Sequence, residues 1–128
     1  ATLACWGGND YGQIGDGTRN SHTTPANVLS GVDAVSAGAY HTCAQLDNGT
    51  MRCWGRNNSG RLGDGTEVDH SSPTRPAIAS GVSSIATGGY HSCAVTGGDT
   101  YCWGANPFGQ LGTGLTTGSL RPLIVADL

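Results

Sequence analysis

The sequence predicts an all-β chain assembled from repeated four-stranded units, and three observations carry that prediction. Glycine is dense, 22 of 128 residues, whereas the chain holds one Phe, one Met and 12% charged residues, a composition with many turns and little bulk for one globular core. No window places apolar residues at i, i+3, i+4 and i+7 over three turns, so helix content is expected to be near zero. Short alternating runs such as Val32-Asp33-Ala34-Val35 recur instead between clusters of Gly, Asn, Asp and Pro, the pattern of half-buried strands.

Self-comparison gives the unit. Cys-Trp-Gly occurs at Cys5-Trp6-Gly7, Cys53-Trp54-Gly55 and Cys102-Trp103-Gly104, offsets of 48 and 49 residues. Each triplet precedes a related loop: Asn9 to Thr18, Asn57 to Thr66, and Asn106 to Gly114. A second block repeats at an offset of 50, from Gly31 to Ala44 and from Gly81 to Ala94. A period near fifty residues with four short strands is that of a β-propeller blade, not of a shorter solenoid turn.

The strands of the middle unit are expected at Val32–Ala37, His41–Leu46, Thr50–Trp54 and Thr74–Ile78. The third unit repeats them from Val82 to Ala126, and the first supplies only the last two strands, about Thr2–Trp6 and Thr24–Leu29. The expected organisation is an incomplete blade over 1–30 and complete blades over 31–80 and 81–128, a partial array of about two and a half blades ending where a next first strand would begin.

On these residues the chain resembles the regulator of chromosome condensation repeat family, in a cysteine-containing bacterial or secreted style. The motifs are Gly-x-x-His-[Thr/Ser]-Cys-Ala, Cys-Trp-Gly and the Gly-Gln-Leu-Gly-like loops, and they cover essentially all 128 residues. The resemblance implies blades of a seven-bladed propeller acting through loops on its faces. Relatives serve as exchange factors for a small nuclear GTPase, as inhibitors of secreted hydrolases or as adhesive ectodomains, so membership fixes the fold better than the job.

The cysteines read as disulfides. No Cys-x-x-Cys pair offers a zinc site. Gly97-Gly98 suits a two-residue primed turn that sets Cys93 opposite Cys102, and Asp47-Asn48-Gly49 suits a three-residue loop that sets Cys43 opposite Cys53. Directly opposed residues lie within disulfide reach. These pairings place the protein in an oxidising compartment, extracellular or at the cell surface. Cys5 has no second-strand partner in the chain. It is a free thiol, links to a second Cys5, or pairs with residues of a longer parent protein, and the last is the expectation.

Candidate chemistry is sparse. His41 and His91 recur at one place in successive units, which reads as a structural hydrogen bond, and His22 and His70 fall in variable loops and are expected to be solvated. Asp16 and Asp64 read as turn caps rather than calcium ligands, since each loop offers one carboxylate. No Gly-x-Ser-x-Gly elbow or Gly-Lys-[Ser/Thr] phosphate loop is present. No catalytic residue, metal ligand or cofactor is assigned, and the chain is read as a non-enzyme. Trp6, Trp54 and Trp103, one per unit, are assigned to packing between blades. Positions that differ between units are the binding candidates, above all Tyr11, Arg56, Arg61 and Phe108. Asn48 and Asn57 match the glycosylation pattern, with Asn48 more simply a turn residue.

A net charge of −3 and six dispersed basic residues argue against nucleic-acid partners. The longest apolar runs fall far short of the roughly 18 residues of a membrane span, so no membrane insertion is expected, and any export signal lies upstream of Ala1 or has been removed. Two functions remain: an extracellular protein-binding module, part of a larger propeller, or a structural subunit whose open blade ends pair with other copies of itself.

Overall fold

A computed structural model describes residues 1–125; the expectation that the third unit runs on to Leu128 reaches beyond them. Among the described residues ten strands form three antiparallel sheets. β1 (Leu3–Gly7) and β2 (His22–Leu29) make a two-stranded sheet. β3 (Val32–Ala37), β4 (His41–Leu46), β5 (Met51–Gly55) and β6 (His70–Thr74) make the second. β7 (Val82–Thr87), β8 (His91–Thr96), β9 (Asp99–Gly104) and β10 (Ser119–Ile124) make the third. Each sheet is a meander in chain order, the blade of a partial propeller, and the helix among the described residues is a single 3-10 turn at Asn58–Gly60.

Turn chemistry sets the register. Gly97 and Gly98 both adopt positive φ, 60° and 82°, the conformation a two-residue primed turn requires, and Thr96 pairs with Asp99 beneath it. Cys93 then faces Cys102, and across the longer Asp47–Gly49 loop Cys43 faces Cys53. The last strand of each unit starts earlier than the sequence suggests: β6 begins at His70, opposite Gly55, and β2 at His22, opposite Gly7. Ile78, expected in β6, packs on the core from beyond the ladder. Pro76, which has no N–H to donate to a ladder, lies between them.

The core lies between sheets rather than within one. Leu3, Val32, Ala44, Leu46 and Trp54 form the cluster joining the first and second units. Cys43, Met51, Cys53, Leu62, Val82, Ala94 and Trp103 form the one joining the second and third. Stability is thus a property of neighbouring pairs, as in other repeat arrays.

Candidate functional site

Each Cys-Trp-Gly strand runs into a loop organised by one asparagine. Asn57 is fully buried; its Nδ2 donates to the carbonyls of Thr66 (2.9 Å) and Val68 (3.0 Å), and its Oδ1 accepts from Leu62 N (2.9 Å). Asn9 makes the same three bonds to Thr18, Asn20 and Ile14, and Asn106 to Leu115, Thr117 and Leu111. One side chain satisfies three backbone groups that the loop would otherwise leave unpaired. Asn57 is therefore a poor glycan acceptor, its amide being committed and inaccessible, while Asn48 is exposed and caps the Asp47–Gly49 turn through Thr50 N (3.1 Å). The role of Asn9 and Asn106 was open to sequence reading, because an asparagine follows the tryptophan in all three units as regularly as the tryptophan itself recurs.

The first two loops carry a second clasp. His22 Nε2 lies 2.6 Å from Asp16 Oδ2, and His70 Nε2 lies 2.8 Å from Asp64 Oδ2. The histidines expected to be solvated are thus anchored at the start of the fourth strand, because pairing opposite Gly7 and Gly55 holds them beside the aspartates. The other oxygen of each aspartate caps the turn, accepting from Thr18 N (2.9 Å) and Thr66 N (3.0 Å). Hydrogen bonds from His22 and then Thr18 hold the Asp16 carboxyl down at about 2. Burial pushes Asp64 up, but hydrogen bonds from Thr66, His70 and Asn57 leave it below its ordinary value. The third loop has Thr113 and Ser119 at these places and no such pair.

The first two loops then each receive the next blade. Trp54 Nε1 and Thr42 Oγ1 both donate to Gln13 O, at 2.9 Å each. Trp103 Nε1 and Ser92 Oγ donate in the same way to Arg61 O, at 3.0 and 2.8 Å. The indoles lie so close to Gly15 and Gly63 that a Cβ there would meet Nε1 at 2.5 and 2.6 Å. Because Ser92 spends its hydrogen on Arg61 O, the 2.9 Å contact from His41 Nε2 is a donation by the imidazole. The other ring nitrogen of His41, Nδ1, is buried with no partner to receive a proton from it, which favours the neutral ring. Burial, with the Arg61 charge second, lowers its pKa to about 4. Trp54 and Trp103 are completely buried, as packing between blades requires, but Trp6 is 61% exposed. The surface that buries Trp54 and Trp103 is the loop of the preceding unit, and none of the described residues supplies one to Trp6.

The variable positions separate into two groups. Arg61, taken above as a binding residue, is fully buried. It donates from Nη1 to Gly89 O (3.1 Å), from Nη2 to Asn58 Oδ1 (2.5 Å) and from Nε to Asn58 O (3.3 Å), so it ties the loop to the next blade and is not free for a partner. Its guanidinium also lies 4.9 Å from the Tyr90 ring centre. Arg56 stays partly exposed, stacked 4.5 Å from the Tyr11 ring and 5.8 Å from the Tyr40 ring, with Nη1 donating to Tyr11 Oη at 3.1 Å. Tyr11 and Tyr40 meet edge to face at 5.2 Å. No carboxylate forms an ion pair with Arg56 among the described residues. Phe108 is 92% exposed on a loop held by its own N–H donating to Gln110 Oε1 (2.9 Å).

Sγ atoms lie at bonding distance in Cys43–Cys53 and Cys93–Cys102, with Cα separations of 4.1 Å in both, and Cys5 is free and half-buried, its thiol pKa raised by burial. Paired cysteines of this kind are compatible with an oxidising setting. Among the described residues no group of three or more His, Cys, Asp or Glu is placed to hold a metal ion. No Ser, Thr or Cys side chain is hydrogen-bonded to His22 or His70 there. No helix among these residues is long and apolar enough to cross a membrane.

Four-stranded meanders packed face to face, with the first two loops each receiving the tryptophan of the following sheet, define a β-propeller repeat protein. Two models of the regulator of chromosome condensation (RCC1) repeat match the sequence, one over residues 4–45 and 48–95 and the other over 32–61 and 82–110. The chain belongs to that family. Its structure is similar to that of Prp20p from Saccharomyces cerevisiae, a structure described with that protein's binding to Gsp1p and histones, at a TM-score of 0.86 and 23% identity over 98% of this chain and 34% of Prp20p. Human WBSCR16 gives a TM-score of 0.86 at 23% identity over 98% of this chain and 33% of that one. Yeast RCC1 (Prp20) bound to Kap60 gives 0.85 at 22% over 98% and 33%. The chain thus spans about a third of these proteins, and the likeness at this identity is one of fold. A sequence search among curated proteins finds no match.

Proposed function

We propose that the chain is a non-enzymatic, extracellular protein-binding module, one segment of a larger β-propeller, and that it binds through the loops that follow the Cys-Trp-Gly strands. The observation that carries this reading is the contrast within those loops. Asn9, Asn57, Asn106 and Arg61 are consumed in holding the backbone, whereas Phe108 and the Arg56–Tyr11–Tyr40 cluster are presented to solvent on that rigid frame. Exposed aromatic and arginine side chains on ordered loops are the residue types that anchor protein interfaces. The paired cysteines support an oxidising location, and the anionic net charge of −3 favours a protein over a nucleic acid. Protein partners of the fold relatives, among them Gsp1p, histones and Kap60, make the same mode of action reasonable here without indicating the partner.

The test compares capture on immobilised wild-type chain with capture on Tyr11→Ala and Phe108→Ala chains that retain the wild-type circular dichroism spectrum. A partner held by the wild type and released by either variant supports the loop face. Identical capture by all three contradicts it. A second reading is a subunit of an extracellular assembly joined through its open blade ends, for which β1, paired only with β2 among the described residues, offers a strand edge.

A further inference from the structure

The seam between the first and second units is filled at the loop face by Tyr11 and Arg56, the guanidinium 4.5 Å from the ring centre and Nη1 donating to Tyr11 Oη. The seam between the second and third units has Ser59 at the place of Tyr11 and Ala105 at the place of Arg56. Gly118 and Ser119 likewise replace Asp69 and His70. Four shorter side chains at one place leave a groove of about 480 Å³, walled by Ser59 and Glu67 of the second loop and by Ala105, Pro107, Ser119 and Leu120 of the third. The packing between these two units is in place beneath it, with Trp103 Nε1 on Arg61 O.

The second loop is rewired to hold a carboxylate at this groove. In the other two loops a glutamine accepts from the N–H at the position in question, Gln13 from Tyr11 and Gln110 from Phe108, at 2.9 Å each. The second loop has Arg61 in place of that glutamine, turned inward to Gly89 O. Ser59 N donates instead to Glu67 Oε1 at 3.2 Å. To do so Ser59 sits at a φ of 72°, alone in positive φ among the described residues other than glycine, a conformation that is unfavourable with a side chain. Glu67 is thereby tied to the groove wall while its side chain stays exposed. The first loop has Arg19 where Glu67 stands. Relative to the first seam, the second has lost the cations of Arg19 and Arg56 and gained an anion. Arg121 lies against Gly65 and is not part of the wall.

We propose that this groove takes an arginine side chain of a protein partner. The guanidinium occupies the space that Arg56 fills in the first seam and pairs with the Glu67 carboxylate, and the aliphatic stem lies over Pro107 and Leu120. An acidic segment is disfavoured, because Glu67 is the charged side chain of the wall. The proposal names the chemistry of the partner on the face assigned above to binding, and it rests on that assignment.

The probe is a terminally blocked Gly-Gly-Arg-Gly-Gly peptide titrated into the full chain to millimolar concentration, followed by backbone amide chemical shifts. Saturable shifts should centre on Ser59, Glu67 and Ala105, and peptides with norleucine or tyrosine in place of arginine should bind several-fold more weakly. Glu67→Gln should weaken the arginine peptide by about fivefold, the upper worth of an exposed ion pair. Ala105→Arg, which gives the groove a guanidinium of its own, should weaken it at least as much. Asp33→Asn, which removes an equal charge from an exposed site on β3, should bind like the wild type. Tyr11 and Phe108 do not line this groove, so the two readings fail separately. Partner capture lost in Tyr11→Ala with no arginine binding sinks the groove alone, and arginine binding with capture unchanged in Tyr11→Ala and Phe108→Ala sinks their role alone. Undiminished binding in Glu67→Gln, equal affinity for the three peptides, shifts centred elsewhere, or no saturable shift would each overturn the proposal.

Discussion

Trp54 and Trp103 share with Trp6 the same triplet, the same strand position and a following loop of the same design, yet the first two have no exposed surface and the third is 61% exposed. The difference is what stands in front of them. Gln13 O and Gly15 receive Trp54, and Arg61 O and Gly63 receive Trp103. A motif tryptophan in this protein is buried by the loop of the preceding unit, so the core belongs to the seams, and a unit's own sequence does not decide its burial.

The largest expected effect breaks that comparison directly. Trp54→Ala or Trp103→Ala should cost about 3–5 kcal/mol in urea unfolding, whereas Trp6→Ala should stay within about 1 kcal/mol, the range of exposed sites. Comparable losses at all three positions would mean that Trp6 is packed after all.

Acid should open the same seam. His41 is buried neutral with its pKa lowered from 6.5 to about 4. The unfolded chain therefore takes up a proton at higher pH than the folded one, and the contribution is complete above pH 6.5 and lost as pH falls toward 4. The loss is on the order of 3 kcal/mol. It should appear as a falling urea midpoint across that window. A His41→Gln chain, less stable at neutral pH, should lose this slope. Asp16, held down to about 2, contributes in a separate window, present above 3.8 and lost below it.

Reduction acts within blades rather than between them. Cys43–Cys53 and Cys93–Cys102 each close a short loop, so the chain-entropy model gives roughly 2–3 kcal/mol apiece. Non-reducing peptide mapping should recover these two pairs, and reduction should lower thermal stability while the β-sheet circular dichroism signal persists. A pair that crosses blades, such as Cys53–Cys93, would contradict the hairpin register. The smallest effect separates the loops. Asp64→Ala, which removes both the turn cap and the partner of His70, should cost about 1 kcal/mol. Thr113→Ala, at the matching place in a loop without the pair, should cost less in the same unfolding assay.

Much of the fold was legible because it rests on local chemistry that repeats. Gly97-Gly98 dictates its turn, the turn dictates that Cys93 meets Cys102, and the fifty-residue period carries the sheet order. What depends on neighbouring units was not legible. Arg61 looks like a surface cation until the next blade brings Gly89 O to it. His22 and His70 looked solvated because their aspartates lie six residues away across a loop closed by the register of the fourth strand. The buried asparagines left a signal, recurrence in every unit, but a polar residue in a Gly-rich loop is ordinarily read as exposed.

The seam account is tested most directly by acrylamide quenching of the wild-type chain and of a Trp6→Phe chain, a change at an exposed site that leaves both seams intact. One of the three tryptophans should be quenched readily in the wild type, and that accessible component should vanish in Trp6→Phe, leaving the shielded emission of Trp54 and Trp103. An accessible component that survives in Trp6→Phe would show that a motif tryptophan is not covered by the preceding loop, and would contradict the account.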